Sequence, residues 1–242
     1  MITFDFSGKR YLVTGASSGI GAAVSELIVR SGGEVLLVAH NEEKLKAQSE
    51  NLGGCRYCSV DLSDVNQIGT ILSPVVKQMG QFDGFVHSAG LGTVRPLKLC
   101  SYDFMKSLMD VNFFSFVEIV RLLTKKGNYN EGMSIVGISS VASREGNQSK
   151  TAYCASKAAM DASIRCMAKE LAPKGIRVNS VMPGITRTAI FDQIQDNGGD
   201  SEDLKCIMAR QYLGICEPEN IAATAAFLLS NEARFITGSS VA

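Results

Sequence analysis

The sequence predicts an α/β fold: a single domain, residues 1–242, built on a doubly wound parallel sheet of about seven strands with helices on both faces. Three observations predict it. Short apolar runs alternate with longer amphipathic segments from one end of the chain to the other, and strands that alternate with helices form parallel sheets covered on both sides. A glycine-rich turn joins the first apolar run to the first helical segment. No linker, repeat or low-complexity stretch interrupts the 242 residues, a length that one α/β domain commonly fills.

Taken in order, residues 9–14 read as a buried strand and Gly15-Ala16-Ser17-Ser18-Gly19-Ile20-Gly21 as the turn that follows it. A helix over 19–31 stops at Gly32-Gly33, and 34–39 is a second strand. A βαβ unit of about thirty residues makes the two strands parallel. Glycines let the turn approach a ligand closely, and the helix start points N–H groups at an anion, for which the pyrophosphate of a dinucleotide is the natural occupant. The spacing is G-x-x-x-G-x-G and not the usual G-x-G-x-x-G. The nucleotide reading, and with it a Rossmann-type fold, therefore rests on the turn's place between strand and helix.

Alternation then continues: helix 42–51, strand 55–60, helix 64–79, strand 83–88, helix 101–108 running into a longer one over 110–126, strand 133–139, helix 150–172 and strand 176–182. A loosely patterned segment over 185–213 precedes a helix at 218–230 and a last short strand around 235–238. The run before Leu171 is rich in Ala and free of Pro and Gly, so Tyr153 and Lys157 fall on one helix, one above the other. A cation beside a phenol favours the phenolate, which predicts a Tyr153 pKa pulled below its ordinary value of about 10. Such a phenol can give or take a proton near neutral pH.

Composition excludes several classes. Lys and Arg number 24, as do Asp and Glu, with no run of like charge; this argues against nucleic acid or a membrane surface as a partner. No apolar stretch reaches the roughly 18 residues of a membrane span, and no signal-peptide pattern opens the chain. Seven cysteines, an odd number, suggest reduced thiols and a cytoplasmic location. Cys55 and Cys58 have redox-motif spacing but fall in an expected strand, with no helix start to lower a thiol pKa. No second Cys pair or His cluster completes a metal site, and His40 and His87 lie far apart in sequence.

Thr14–Gly21, Ser88-Ala89-Gly90, Asn112, Ser139-Ser140, Tyr153-x-x-x-Lys157 and Pro183-Gly184, in this order and spacing, resemble the short-chain dehydrogenase/reductase family over nearly the whole chain. Within that family the chain looks most like the 3-oxoacyl-[acyl-carrier-protein] reductase type. The resemblance implies that Tyr153 is the general acid/base and that Lys157 lowers its pKa and bonds the nicotinamide ribose. It implies that Ser140, in preference to Ser139, holds the substrate oxygen, and that Asn112 positions a water linking Lys157 to solvent. The implied cofactor contacts are Gly15, Ser17, Ser18, Gly19, Ile20 and Gly21 at the turn, and His40 and Asn41 after the second strand. Asp61 and Leu62 are implied at the adenine, Ser88, Ala89 and Gly90 beside the cofactor, and Pro183, Gly184, Ile185, Thr186 and Thr188 near the nicotinamide carboxamide. Tyr153 and Lys157 would touch the cofactor too.

The chain departs from the family at three places. No acid stands at 39 or 40 to bond the 2′-hydroxyl of NAD; His40 instead takes a place where family members that use NADP often carry Arg. NADP is therefore the expected cofactor, with NAD as the alternative. If His40 meets the 2′-phosphate, binding weakens as pH rises through an imidazole pKa of about 6.5. His87-Ser88 replaces two asparagines that usually precede Ala89-Gly90, which predicts an altered hydrogen-bond network there. After Phe235-Ile236-Thr237-Gly238 the family continues through a Val-Asp-Gly-Gly-like turn where this chain reads Ser239–Ala242, so the expectation is either a truncated tail or the absence of the subunit contact that tail builds.

The expected function is an oxidoreductase that transfers a hydride between NADP(H) and a small carbonyl/alcohol substrate, as a ketone or 3-oxoacyl reductase. An NAD-dependent dehydrogenase of a small hydroxy compound is one alternative, and a non-catalytic NAD(P)-binding sensor, which would need only the glycine turn, is another. A homodimer or homotetramer is expected through the helices near 110–126 and 150–172, where Ala152, Ala155, Ala158, Ala159 and Ala162 permit close packing. Segment 185–213 is expected to form a substrate lid, the part of such folds that varies. Ile190, Phe191, Ile194, Leu204, Ile207 and Met208 would make its apolar wall. Asp192, Asp196, Asp200, Glu202 and Asp203 outnumber Arg187, Lys205 and Arg210 there, which suits a small free carbonyl compound at least as well as an acidic carrier protein.

Overall fold

The computed structural model describes residues 4–188, 191 and 208–242. Seven strands form one sheet in the order β3-β2-β1-β4-β5-β6-β7. They are β1 (Arg10–Thr14), β2 (Glu34–Ala39), β3 (Tyr57–Ser59), β4 (Phe82–His87), β5 (Tyr129–Ile138), β6 (Arg177–Val181) and β7 (Ser240–Val241). Every neighbouring pair is parallel. The order reverses between β1 and β4, and the crevice beyond the strand C-termini at such a switch point is where open α/β sheets bind ligands.

Among the described residues the α-helices are α1 (Gly19–Arg30), α2 (Glu42–Asn51), α3 (Val65–Met79), α4 (Tyr102–Met109), α5 (Ser115–Leu123), α6 (Thr151–Leu171) and α7 (Pro218–Leu229). Successive strand residues point to opposite faces, so the strands supply two cores. Leu12, Leu36, Phe85 and Ile135 pack with Ile68 of α3, Phe116 of α5 and Ile164 of α6. Tyr11, Val13, Val35 and Leu37 pack with Val24 and Ile28 of α1, Leu45 of α2 and Ala225 of α7. Each of these side chains is fully or almost fully buried, contributing about 1.5–3 kcal/mol apiece. That double burial is why the strands read as unbroken apolar runs.

Two expected elements differ. The helix expected over 110–126 begins as a π turn, Asp110–Phe114, between α4 and α5. The last strand lies at Ser240–Val241 and not near 235–238. Phe235 is almost fully exposed, and Gly238 turns the chain at φ +71°. Gly238 N–H donates to the Val178 carbonyl, and the ladder continues beyond it, where Ser180 N–H donates to the Ser239 carbonyl and Met182 N–H to that of Val241.

Candidate active site

The glycine turn closes on the end of β4. Gly15 has φ +66°, and a β-carbon there would lie 2.8 Å from Ala89 N, so only glycine fits. A β-carbon on Gly21 would collide with the Gly15 carbonyl, so Gly21 packs the turn against itself. Ser18, the residue before α1, is extended and makes no side-chain cap bond, leaving the first-turn N–H groups facing the crevice. A groove of about 430 Å³ follows, lined by Gly15, Ser17, Ser18, Gly19, His40, Asp61, Leu62 and Ala89 among others. It adjoins a cavity of about 180 Å³ lined by Ser140, Tyr153, Lys157, Pro183, Gly184, Ile185, Thr186 and Phe191. Ile20, Ser88, Gly90, Leu91 and Thr188 border both. Gly21 and Asn41 line neither. Asn41 caps α2, its Oδ1 accepting from Lys44 N–H at 2.9 Å.

Ser140, Tyr153 and Lys157 share one wall. Ser140 follows β5 and starts the short turn Val141–Ser143, its Oγ accepting from Ala142 N–H at 3.2 Å. Ser139 is committed elsewhere: 4% exposed, it donates to Asp161 Oδ2 at 2.9 Å. Lys157 Nζ is buried, donates to the Ile138 carbonyl at 2.8 Å and lies 6.0 Å from the centre of the Tyr153 ring. Burial pulls the Lys157 pKa down to about 8, opposed by the Asp161 carboxylate one turn along α6. Asp161 is itself held by the Ser139 and Ser180 hydroxyls.

The phenol behaves differently from the sequence expectation. Burial raises the Tyr153 pKa, and the Ser140 hydroxyl, which can bond the phenolate, opposes this. Spacing on a helix shows which charges are neighbours; how deeply the sheet buries them is decided by residues far away in sequence, and here burial wins.

Asn112 sits fully buried in the π turn. Its Oδ1 accepts from Leu91 N–H at 2.7 Å, while Nδ2 donates to the Leu91 carbonyl at 3.1 Å and to Ser156 Oγ at 2.9 Å. With both amide hydrogens committed, the side chain ties the loop after β4 to α6. Gly90 lies between: a β-carbon there would stand 3.3 Å from both Asn112 Oδ1 and Lys157 Nζ. Below them, Thr14 Oγ1 accepts from Ala89 N–H at 3.3 Å and bonds His87 Nδ1 at 2.9 Å. His87 Nε2 is buried with no hydrogen-bond partner among the described residues. His87 is fully buried, and burial, with the Lys157 charge second, drops its pKa to about 3.

The sequence profile described as Enoyl-(Acyl carrier protein) reductase matches residues 15–242. L-xylulose reductase of Caenorhabditis elegans is 32% identical over 243 residues, covering 98% of this chain and 95% of its own. The 3-oxoacyl-[acyl-carrier-protein] reductase FabG of Rickettsia typhi is 31% identical over 237 residues, covering 97% and 94%. The crystal structure of a short chain dehydrogenase from Burkholderia cenocepacia in complex with NADP superposes with a TM-score of 0.87 at 28% identity, covering 98% and 96%. The chain belongs to the short-chain dehydrogenase/reductase family. It is an NAD(P)-dependent oxidoreductase acting on CH–OH and C=O groups.

This short-chain dehydrogenase/reductase offers a nicotinamide dinucleotide fitting partners. Thr186 Oγ1, at the cavity wall, is buried with no hydrogen-bond partner among the described residues, and buried hydroxyls ordinarily have one. The glycine turn and uncapped α1 suit the pyrophosphate at the other end.

Two residues escaped the sequence reading. Lys150, the residue before α6, lines the substrate side of the cavity; a lysine at a helix start carries no signal of its own. Gln211 joins the two ends of the 185–213 segment, its Oε1 accepting from Ile185 N–H at 3.0 Å. Arg187–Glu217, at 3.0 Å, ties the same segment to α7. Of the expected lid residues, Ile190, Asp192, Ile194, Asp196, Asp200, Glu202, Asp203, Leu204, Lys205 and Ile207 lie outside the described residues. Phe191 is buried against the cavity, as an apolar wall requires.

Proposed function

We propose that this protein is an NADP(H)-dependent reductase of a small carbonyl compound, using Tyr153, Ser140 and Lys157 as its catalytic residues and Asn112 as a positioning residue. The observation that carries the reading is the wall that sets the Ser140 hydroxyl, the Tyr153 phenol and the buried Lys157 ammonium on one cavity continuous with the glycine-turn groove. Bound in that groove, the nicotinamide supplies the hydride. The Tyr153 phenol gives its proton to the substrate oxygen as negative charge develops there, and the Ser140 hydroxyl stabilises that charge by a second hydrogen bond. A pKa raised by burial keeps the phenol protonated at neutral pH, the form that reduction needs at the start of turnover. Lys157, with a pKa of about 8, is poised to balance the phenolate and return its proton. Asn112 holds the Leu91 loop and α6 at fixed separation.

The NADP preference rests on His40 at the mouth of the groove, with no carboxylate at 39 or 40, and is supported by the NADP bound to the Burkholderia relative. The two named reductases, of L-xylulose and of a 3-oxoacyl-[acyl-carrier-protein], support carbonyl reduction as the shared chemistry and leave the non-catalytic sensor unfavoured. Asp61, its carboxylate held by Ser63 N–H and Oγ, would face the adenine. We place the protein in the cytoplasm as a homodimer or homotetramer. The six described cysteines, all free, support the former. Exposed Ala155 and Ala162 on α6, with Phe114 42% exposed before α5, support the latter.

Fluorescence titration with NADPH and NADH in parallel tests this reading. NADPH should bind at least about tenfold more tightly, a difference of about 1.4 kcal/mol. His40→Asp should reverse the order, because a carboxylate repels a 2′-phosphate. Tighter NADH binding by the unaltered protein, or binding of neither, overturns it.

A further inference from the structure

The helix that carries Tyr153 and Lys157 also carries a buried acid. Asp161 lies one turn along α6 from Lys157, on the same face, and is 5% exposed. A carboxylate withdrawn from water is costly unless its oxygens are bonded, and both of these are. Oδ2 accepts from Ser139 Oγ at 2.9 Å and Oδ1 from Ser180 Oγ at 2.8 Å. Ser180 Oγ also lies 2.9 Å from Ser240 Oγ. A hydroxyl has one hydrogen and a carboxylate only accepts, so Ser180 gives its hydrogen to Asp161 and takes one from Ser240. Hydroxyls from β6, β7 and the residue after β5 thus converge on one acid of α6.

Among the described residues, the groups facing the Lys157 ammonium are Tyr153 and Asp161 on α6, His87 on β4, Asn112 in the π turn and the Ile138 carbonyl of β5. His87 is neutral, its pKa dropped to about 3, and burial keeps the phenol neutral. Asp161 carries a charge that offsets the lysine's, against the burial that brings Lys157 to about 8. Yet the two form no ion pair. Lys157 Nζ stays on the Ile138 carbonyl at 2.8 Å, while the serines keep the carboxylate where it is. A carboxylate in contact with Nζ would compete with Tyr153 for the ammonium; one held back supplies its field without a bond.

We infer that Asp161 is a positioning residue of the reaction: the serines hold its carboxylate as a fixed counter-charge that keeps Lys157 an ammonium beside Tyr153 without drawing it away. This rests on the reductase reading above and adds a residue to it. With an uncharged residue at 161, Lys157 would lose its proton nearer neutral pH, and with it the ammonium that returns a proton to Tyr153.

The test is the titration of Lys157, followed by NMR of the full chain with 13C-labelled lysines, its signal assigned by absence from Lys157→Met. In Asp161→Asn the midpoint should fall by about one pH unit or more, the usual effect of losing an opposite charge at this range. In Asp161→Glu, which keeps the charge, it should stay nearer to the parent. Asn can keep both serine bonds, its oxygen accepting one hydroxyl and its amide donating to the other oxygen. A residue that only ties helix to sheet would therefore leave the midpoint unmoved. With NADPH and a series of short 3-oxo esters, the alkaline fall of kcat should move down with the midpoint while KM for NADPH changes little. If Asp161→Asn does not fold, the unaltered protein decides: the 13C-labelled carboxylate of Asp161 should shift as Lys157 titrates, and a signal that stays still overturns the inference. An equal midpoint in parent and Asp161→Asn overturns it too, as does a moved midpoint with an unmoved pH–rate profile. Failure to bind NADPH or reduce any ketone would remove the reductase reading, and the Lys157 titration, which needs no substrate, tells the two failures apart.

Discussion

Replacing Lys157 by Met should change the protein's stability relative to the parent in a pH-dependent way, most in favour of Met near neutral pH and less so in alkali. Lys157 is 5% exposed, and burial lowers its pKa from an ordinary 10.5 to about 8. Between those values the unfolded chain binds a proton that the folded chain does not. The penalty for burying the ammonium is therefore complete below pH 8, and it fades as pH rises toward 10.5. Linkage with these two values gives a penalty of about 3 kcal/mol at pH ~7.5 and about 1 kcal/mol at pH ~9.5. Met removes the penalty but leaves Asp161 without its cation. The value of about 8 already contains the Asp161 attraction, so what remains on going from a neutral Lys157 to Met is an offset that does not change over this range. Urea unfolding of the cofactor-free proteins at equal concentration should then show the stability difference between Lys157→Met and the parent moving by about 2 kcal/mol in the parent's favour across those two pH units. A difference that stays constant with pH would refute the claim that Lys157 is a charge forced into a dry site.

Two further outcomes follow from the same geometry. Tyr153→Phe should lower kcat by about 100- to 10,000-fold, the usual worth of a positioned acid, while NADPH affinity measured by fluorescence changes little; activity within tenfold of the parent would exclude Tyr153 as proton donor. His87, with its pKa dropped to about 3 by burial, charges in the unfolded state first, so stability should fall as pH drops below about 6.5, by up to about 1.4 kcal/mol per pH unit. His87→Asn should lose that part of the acid slope in urea unfolding between about pH 6 and 4, and an unchanged slope would show that His87 is protonated in the folded protein.

What could be read from the chain follows from how far apart the deciding residues lie. The first βαβ unit was legible because strands buried on both faces must be apolar throughout, and β2 and α2 fall where the pattern puts them. Tyr153 and Lys157 were legible as neighbours because one helix carries both. Asn41 was not, because an Asn ahead of Glu42-Glu43 reads equally as a groove residue or a helix cap, and only the fold shows its Oδ1 on Lys44 N–H. The π turn at Asn112 was hidden because one inserted residue leaves the apolar period of 110–126 almost unchanged. Its bonds to Leu91 and Ser156 cross from one element to another. Lys150 was invisible for the same reason, since the contact that orients its neighbour Ser149 comes from Arg95.

The sign of the Tyr153 perturbation has the same origin and matters more for function. Helical spacing supplies only the attraction between phenolate and ammonium, which lowers the pKa. The desolvation that opposes it comes from β5, the 183–186 loop and Phe191, which close over the helix from elsewhere in the chain. With Lys157 tied to the Ile138 carbonyl, desolvation prevails and the site holds a neutral phenol beside a lysine that titrates near pH 8. A neutral acid with a proton reservoir one helical turn away is arranged to protonate an oxygen, and the same pair deprotonated takes that proton back in the reverse reaction, so the asymmetry sets the protonation state in which each direction begins.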